Sequence, residues 1–309
     1  MNRKALLLLA SIVVVAITCV SFLVLKLSPS KDKGLIKLDK AALVYERGEK
    51  FLKEGSYGRA ADAFIVTLNN YSDSEYSEKS LRKLASMYQE NGDYAKARYY
   101  YKRLLNSFPD IKDKDNVKSQ LEKLNMDVLI SPVITEDSVE YAVKPGDSLY
   151  SIASKFNTTI ALIKKINKLQ SDVIRPGQKL KINISKFSIF VDKSLNILIL
   201  KKDGEPFKTY VVSTGKDNCT PVGKFKITDK SIKPVWYRPD GKVIQPDSEE
   251  YELGERWMGL TISGYGIHGT NDENTIGSQI TMGCVRMRND DVVELFDIVS
   301  PGTEVEIVN

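Results

Sequence analysis

Residues 265–287 read YGIHGTNDENTIGSQITMGCVRM. The stretch holds His268, the only histidine in 309 residues, and Cys284, one of three cysteines. A thiol becomes a nucleophile when a neighbouring base or positive charge stabilises its thiolate. His268 is the only imidazole that can act as that base. Gly283 lets a substrate carbonyl approach the backbone closely, and the Gly283 and Cys284 amides can face a developing oxyanion. Arg286 lies two positions beyond Cys284, so in a strand the two share a face. Taken singly, each residue reads as core: a small buried hydrophobe and a satisfied imidazole. Taken together, in a chain nearly free of both types, they read as a site. The histidine precedes the cysteine, which argues against papain-like peptidases, where the order is reversed.

Outward from this stretch, Phe187 to Asn309 is β-rich. FSIFVD, NILILKK and FKTYVVSTG alternate or run apolar over strand lengths, broken by Asp-Lys-Ser and Asp-Gly turns. TPVGKFKI is a turn feeding a strand, and GTEVEIVN closes the chain. Only NDDVVELFDIV has a helical period, with Asn289 or Asp290 as its cap.

The segment GIHGTN…IGSQITMGCVRM resembles the active-site signature of the L,D-transpeptidases with a YkuD-type catalytic domain. In that family a His-Gly-Thr segment, here His268-Gly269-Thr270, precedes Ser/Thr-x-Gly-Cys-hydrophobic-Arg or -Asn, here Thr281-Met282-Gly283-Cys284-Val285-Arg286. TPVGKF (220–225) and RWMGL (256–260) match two further family stretches, and the catalytic domain is expected over 186–309. Many members carry a second histidine at the Met282 position, so here His268 is the sole base. The resemblance implies a role for each matching residue. Cys284 is the nucleophile and His268 the general base, oriented through the Gly269 carbonyl. Gly283 and Cys284 amides hold the oxyanion, with Thr270 and Thr281 beside the substrate. Arg286 braces the site or binds a substrate carboxylate. The implied donor is a peptidoglycan tetrapeptide stem, attacked at its third residue with loss of D-alanine to leave a thioester. A neighbouring stem's amine then gives a 3-3 cross-link, whereas water would make the enzyme an L,D-carboxypeptidase. Cys219 reads as a free surface thiol, with reversible pairing to Cys284 as the alternative.

Upstream, YAVKPGDSLYSIASKFNTTIALIKKINKLQSDVIRPGQKLKI (141–182) reads as strand, turn, two capped helices and strand. Asp147 or Ser148 caps the first helix and Thr158 or Thr159 the second, with Leu149, Ile152 and Phe156 inward. This βααβ order, with VKPGDSLYSIA and IRPGQKLKI at its ends, resembles a lysin motif, expected over 139–183. The resemblance implies binding of N-acetylglucosamine-containing glycan strands in a groove between Gly146, Asp147, Ser148 and Leu149 on one loop and Ile174, Pro176 and Gly177 on the other. The same residues also read simply as a helix cap and a turn. SPVITEDS (131–138) reads as a linker.

Residues 38–126 repeat with an offset of 37, aligning Gly55/Gly92, Tyr57/Tyr94, Ala60/Ala97, Phe64/Tyr101 and Leu68/Leu105. Small residues followed four positions later by aromatics suit closely packed helices. The pattern resembles tetratricopeptide repeats, with Gly48 and Ala85 in the preceding helices and NVKSQLEKLN as a capping helix. It serves either as a spacer or as a surface for a protein partner.

At the N-terminus, Arg3 and Lys4 precede an uncharged run, Ala5 to Leu25, long enough for one bilayer core. Residues 1–26 are accordingly expected to be a signal-anchor transmembrane helix that holds the protein to the membrane, with the bulk of the chain extracytoplasmic in a bacterial cell envelope. Cleavage and lipidation at Cys19 are the alternatives. The net charge of +5 is spread over scattered lysines, favouring an anionic envelope over a nucleic-acid groove. One histidine and dispersed cysteines disfavour zinc, and no cofactor is called for. The expected fold class is therefore multidomain: transmembrane helix, all-α helical hairpins, small βααβ lysin motif and β-dominated catalytic domain. The rivals are a non-catalytic peptidoglycan-binding scaffold and a sortase-type transpeptidase, the latter disfavoured because sortases lack the HGT segment.

Overall fold

The computed structural model describes residues 39–238 and 240–309. Its first part is helical: α1 (Lys40–Lys53), α2 (Tyr57–Asn70), α3 (Glu75–Glu90), α4 (Tyr94–Ser107) and α5 (Lys114–Ile130). Asp39 and Asp93 accept backbone N–H bonds at the starts of α1 and α4. The small–large pattern packs helix on helix. A Cβ on Gly48 would lie 2.6 Å from the Phe64 ring, and Phe64, Ala60, Ala85 and Ala97 are fully buried.

The helix expected over NVKSQLEKLN runs on to Ile130, because Met126, Val128 and Leu129 continue its apolar face into the next domains. Met126 and Leu129 join one core with Leu162, Ile166 and the catalytic sheet. The stretch read as a linker is an ordered joint. Asp137 binds both Arg98 and Lys202, which hold its carboxyl below the usual range against the cost of burial. Lys181 is buried, which lowers its amine to about 8, and it donates to the Val128 and Ser131 carbonyls.

The second part pairs β1 (Ser138–Ala142) antiparallel with β2 (Lys179–Asn183) around α6 (Leu149–Lys155) and α7 (Ile160–Ile166). Ser148 and Thr159 are the N-caps, the first in a reciprocal capping box with Ser151. Thr159 also donates to the Asp297 carbonyl, and Lys165 pairs with the Asp297 side chain, docking this small domain on the catalytic one.

The third part is built on an eight-stranded mixed sheet, ordered β13-β11-β10-β7-β14-β3-β4-β5. The strands are β3 (Phe187–Asp192), β4 (Ile197–Lys202), β5 (Glu205–Val211), β7 (Gly223–Ile232), β10 (Arg256–Leu260), β11 (Gly266–His268), β13 (Val285–Arg286) and β14 (Glu304–Val308). A small hairpin, β8 (Trp236–Tyr237) with β9 (Val243–Ile244), and the pair β6 (Thr214–Gly215) with β12 (Gln279–Thr281) flank it. One face packs on α8 (Asn289–Ile298) through Val292, Leu295 and Ile298. The β5 edge is covered by α5, where Asn125 Nδ2 donates to the Phe207 carbonyl at 2.8 Å and Thr209 Oγ1 to Glu122 at 2.8 Å. Such cover removes an edge open to intermolecular pairing.

The expected transmembrane helix requires correction. Residues 1–26 lie outside the described residues, and among the described residues no helix is long and apolar enough to cross a membrane. The longest, α5, has 17 residues, about 26 Å at 1.5 Å each, and carries charges throughout. Among the described residues the architecture is therefore helical region, small βααβ fold and β-rich domain, with no membrane-spanning helix. A membrane contact through an N-terminal helix is dropped from the expected partners.

Candidate active site

Three short strands assemble the site on the sheet face opposite α8. Register pairs Ser231 with Trp257, Trp257 with His268, and His268 with Arg286, giving one cross-strand row on one face. Cys284 precedes β13 on the same face. Trp257, His268, Thr281, Cys284 and Arg286 line a common cavity of about 730 Å³, overhung by Trp236 and Tyr237 of the β8–β9 hairpin.

The His268 ring is 4% exposed and stacked on Trp257, with centroids 5.9 Å apart and an interplanar angle of 23°. Its Nδ1 lies 2.7 Å from the Gly269 carbonyl oxygen. That acceptor assigns the proton to Nδ1 and leaves the Nε2 lone pair free. Burial, with help from the Arg286 charge, pushes the imidazole down to about 4, so it is neutral at pH 7. Burial pushes the Cys284 thiol up to about 11, against the Gly266 amide and the Arg286 charge, which favour the thiolate. The thiol donates a long bond of 3.8 Å to the Gly264 carbonyl rather than to the imidazole. The resting pair is thus a neutral thiol and a neutral base facing one cavity.

The Gly283 amide is not free to meet an oxyanion. It donates to Thr281 Oγ1 at 3.2 Å, while that hydroxyl donates to the Cys284 carbonyl at 2.7 Å. Thr281 therefore staples the tight turn that carries the thiol. Gly283 sits at φ +119°, and a Cβ there would lie 2.5 Å from the Tyr265 ring. The Arg286 guanidinium is nearly buried, reaching Glu252 at 2.7 Å and Thr275 Oγ1 at 3.3 Å. Thr270 is buried, and its hydroxyl closes the following turn on Asp272.

Sequence reasoning missed Asn289. The N-cap of α8 is Arg288 rather than Asn289 or Asp290, and the Asn289 side chain points back to brace the site. Its Oδ1 accepts from Glu255 N (3.0 Å) and Thr270 N (3.3 Å), and its Nδ2 donates to the Thr270 carbonyl at 2.7 Å. Gly269 must be glycine here, since a Cβ would fall 2.3 Å from Asn289 Oδ1. Trp257 was visible in RWMGL but gained a role only through its register with His268. Cys219 and Cys284 are both free thiols.

In the small domain, Gly146 and Gly177 adopt φ +87° and +84°, shaping the two turns. Gly177 N donates to the Val143 carbonyl, bringing the loops together. Asp147 is no helix cap: it accepts from Lys144 N and from Tyr141 Oη. Ser148 caps α6, Pro176 is exposed, Ile174 is half-buried and Leu149 lies in the core. Tyr150 and Val173, which the sequence reading passed over, stand largely exposed beside the two loops.

Three family models match the chain: L,D-transpeptidase catalytic domain (YkuD) over 186–307, LysM domain over 141–183, and Outer membrane lipoprotein (YfiO) over 38–128. The last covers the helical segment read as tetratricopeptide-like and, like the described helices, gives no support to a spanning anchor. It places the chain in the bacterial cell envelope. YqjB of Bacillus subtilis, whose name assigns it provisionally to the L,D-transpeptidases, is 41% identical over 127 residues, 39% of this chain and 70% of its own. YkuD of Bacillus subtilis, named in the same way, is 33% identical over 174 residues, 54% of this chain and 97% of its own. A solved L,D-transpeptidase from Mycobacterium smegmatis aligns at 24% identity over 43% of this chain and 64% of that one, with a TM-score of 0.36. On its identity to YkuD over nearly the whole of that relative, the chain belongs to the L,D-transpeptidase family, carrying a cysteine-type YkuD catalytic domain that acts on peptidoglycan.

Proposed function

We propose that the protein forms 3-3 cross-links through a thioester on Cys284 while its LysM domain holds the glycan strands. The observation that carries this is the shared cavity: His268, with Nδ1 tied to the Gly269 carbonyl, offers Nε2 to the space into which Cys284 opens. Attack of Sγ on the third-residue carbonyl passes the thiol proton to Nε2. Collapse of the tetrahedral adduct breaks the bond to D-alanine, whose amine takes that proton back. An acceptor amine then attacks the thioester, loses its proton to Nε2 and restores the thiol. The Cys284 N–H, which has no protein acceptor among the described residues, is the amide free to meet the oxyanion. Arg286 stabilises negative charge nearby and is braced by Glu252. This chemistry places the catalytic domain on the wall side of the envelope, where stems are found.

Muropeptide analysis after incubation of wall with purified protein tests the reading, wild type beside Cys284→Ala. The expected outcome is 3-3 linked dimers with the wild type alone. Tripeptide stems without dimers would make it an L,D-carboxypeptidase, and an unchanged profile would leave a non-catalytic scaffold.

A further inference from the structure

One charged group of the cavity has no part in that chemistry. Asp229 lines the cavity from β7, at a bulge where Thr228 and Asp229 together face Gly259 of β10. A bulge beside a site re-aims a side chain. Here it lays the carboxylate flat on the neighbouring strand, since a Cβ on Gly259 would fall 2.2 Å from Asp229 Oδ1. Gly259 pairs with Gly266, and Gly266 lies beside Cys284, one residue before the Ile267–Val285 register. Asp229 and Cys284 therefore end one cross-strand row whose two middle positions are glycine. The place above Gly266 is taken by the edge of the Trp257 indole, 2.6 Å from where a Cβ would stand, so an apolar ring edge lines the cavity between carboxylate and thiol.

The other charges of the cavity are already paired. Arg286 holds Glu252, and Arg238 holds Asp240 and Glu250. The adjacent Lys230 is turned to the opposite face, on the Phe296 and Val299 carbonyls at the end of α8. Asp229 accepts from Thr228 Oγ1 at 2.8 Å and has no cationic partner among the described residues.

Resting on the acyl-transfer reading above, we propose that Asp229 is the subsite for the distal ammonium of the diamino residue whose carbonyl Cys284 attacks. Two interstrand steps of about 4.8 Å set the carboxylate roughly 10 Å from the thiol. In a lysine-type residue the distal nitrogen is six bonds from the acyl carbon, about 7.5 Å when extended. The carbon–sulfur bond and a charge-assisted hydrogen bond of about 2.8 Å span the remainder with slack. A diamino side chain two methylenes shorter falls short of Asp229.

The test uses three tetrapeptide donors that differ only in the third residue: lysine, norleucine, and 2-aminoadipate with a terminal carboxylate. D-alanine release gives kcat/KM for each, and the ratios within one variant cancel any general loss. Wild type should favour lysine over norleucine by roughly two- to fivefold, the scale of an exposed ion pair. Asp229→Asn should bring that ratio near one, and Asp229→Lys should invert preference toward the carboxylate donor. Equal use of lysine and norleucine by wild type, or a ratio unchanged in Asp229→Asn, overturns the subsite. Loss of D-alanine from no donor, with no penem adduct on Cys284, overturns the acyl-transfer reading beneath it.

Discussion

The burial of the thiol and imidazole makes a quantitative demand on the reactivity of Cys284. With the thiol at about 11 and the imidazole at about 4, moving the proton between them in the resting site costs about 10 kcal/mol. Attraction between the resulting charges at contact offsets about 4 kcal/mol. The ion pair thus lies about 6 kcal/mol uphill, near one molecule in 10⁴, and proton transfer must accompany attack rather than precede it. The assay is alkylation of Cys284 by iodoacetamide across pH, followed by intact mass, in a protein with Cys19 and Cys219 replaced by alanine. At pH 7 a thiol near 11 is ionised to about one part in 10⁴, against a few parts in a hundred for a free thiol near 8.5. Alkylation should therefore be slower than for an unfolded control by two orders of magnitude or more, and should climb without a plateau beyond pH 9. His268→Gln should leave that profile alkaline, yet slow acylation by a penem by about 10² to 10⁴, because the acceptor for the proton is gone. A plateau of fast alkylation below pH 7 would reveal a standing thiolate–imidazolium pair and refute the argument from burial.

Four further outcomes follow from the site. His268, near 4 when folded and 6.5 when unfolded, binds fewer protons in the native state, so stability should fall as pH drops from 6.5 to 4. About 3 kcal/mol is at stake, and urea unfolding should show a flatter slope over that window in His268→Gln. Thr281→Val strands the Gly283 amide and should cost about 1–3 kcal/mol together with acylation rate, measured by denaturation and penem kinetics. Asn289→Ala removes two bonds from α8 to Thr270 of the HGT segment and one to Glu255, and should cost at least as much, with slower acylation at an unchanged thiol titration. The full protein should sediment with purified peptidoglycan, with chitin oligomers competing. Binding abolished by moderate salt and indifferent to oligomers would reduce the LysM contribution to lysine attraction.

Much of this was legible in local sequence, and the rest was hidden for a common reason. Alternation marked β3 to β5, and the small–large spacing around Gly48 and Phe64 marked packed helices, because both are periodicities of one element. The HGT and GC segments named the reacting residues because that chemistry needs those residue types. What local pattern does not encode is register between strands distant in the chain. Trp257 looked like one more apolar strand residue until pairing set its ring on His268. Asp229 carries no local signal, and only the bulge in its strand turns it along Gly259. Asn289 has the composition of a helix cap, and in isolation that is how it would act, but the glycine at 269 opens a place for its amide between two loops. The Cys284 thiol sits in the same class. Its motif announces a nucleophile, whereas its protonation state depends on burial that several strands supply together. Nonlocal packing therefore leaves the pair as two neutral groups, which keeps the nucleophile protonated until a substrate carbonyl occupies the cavity.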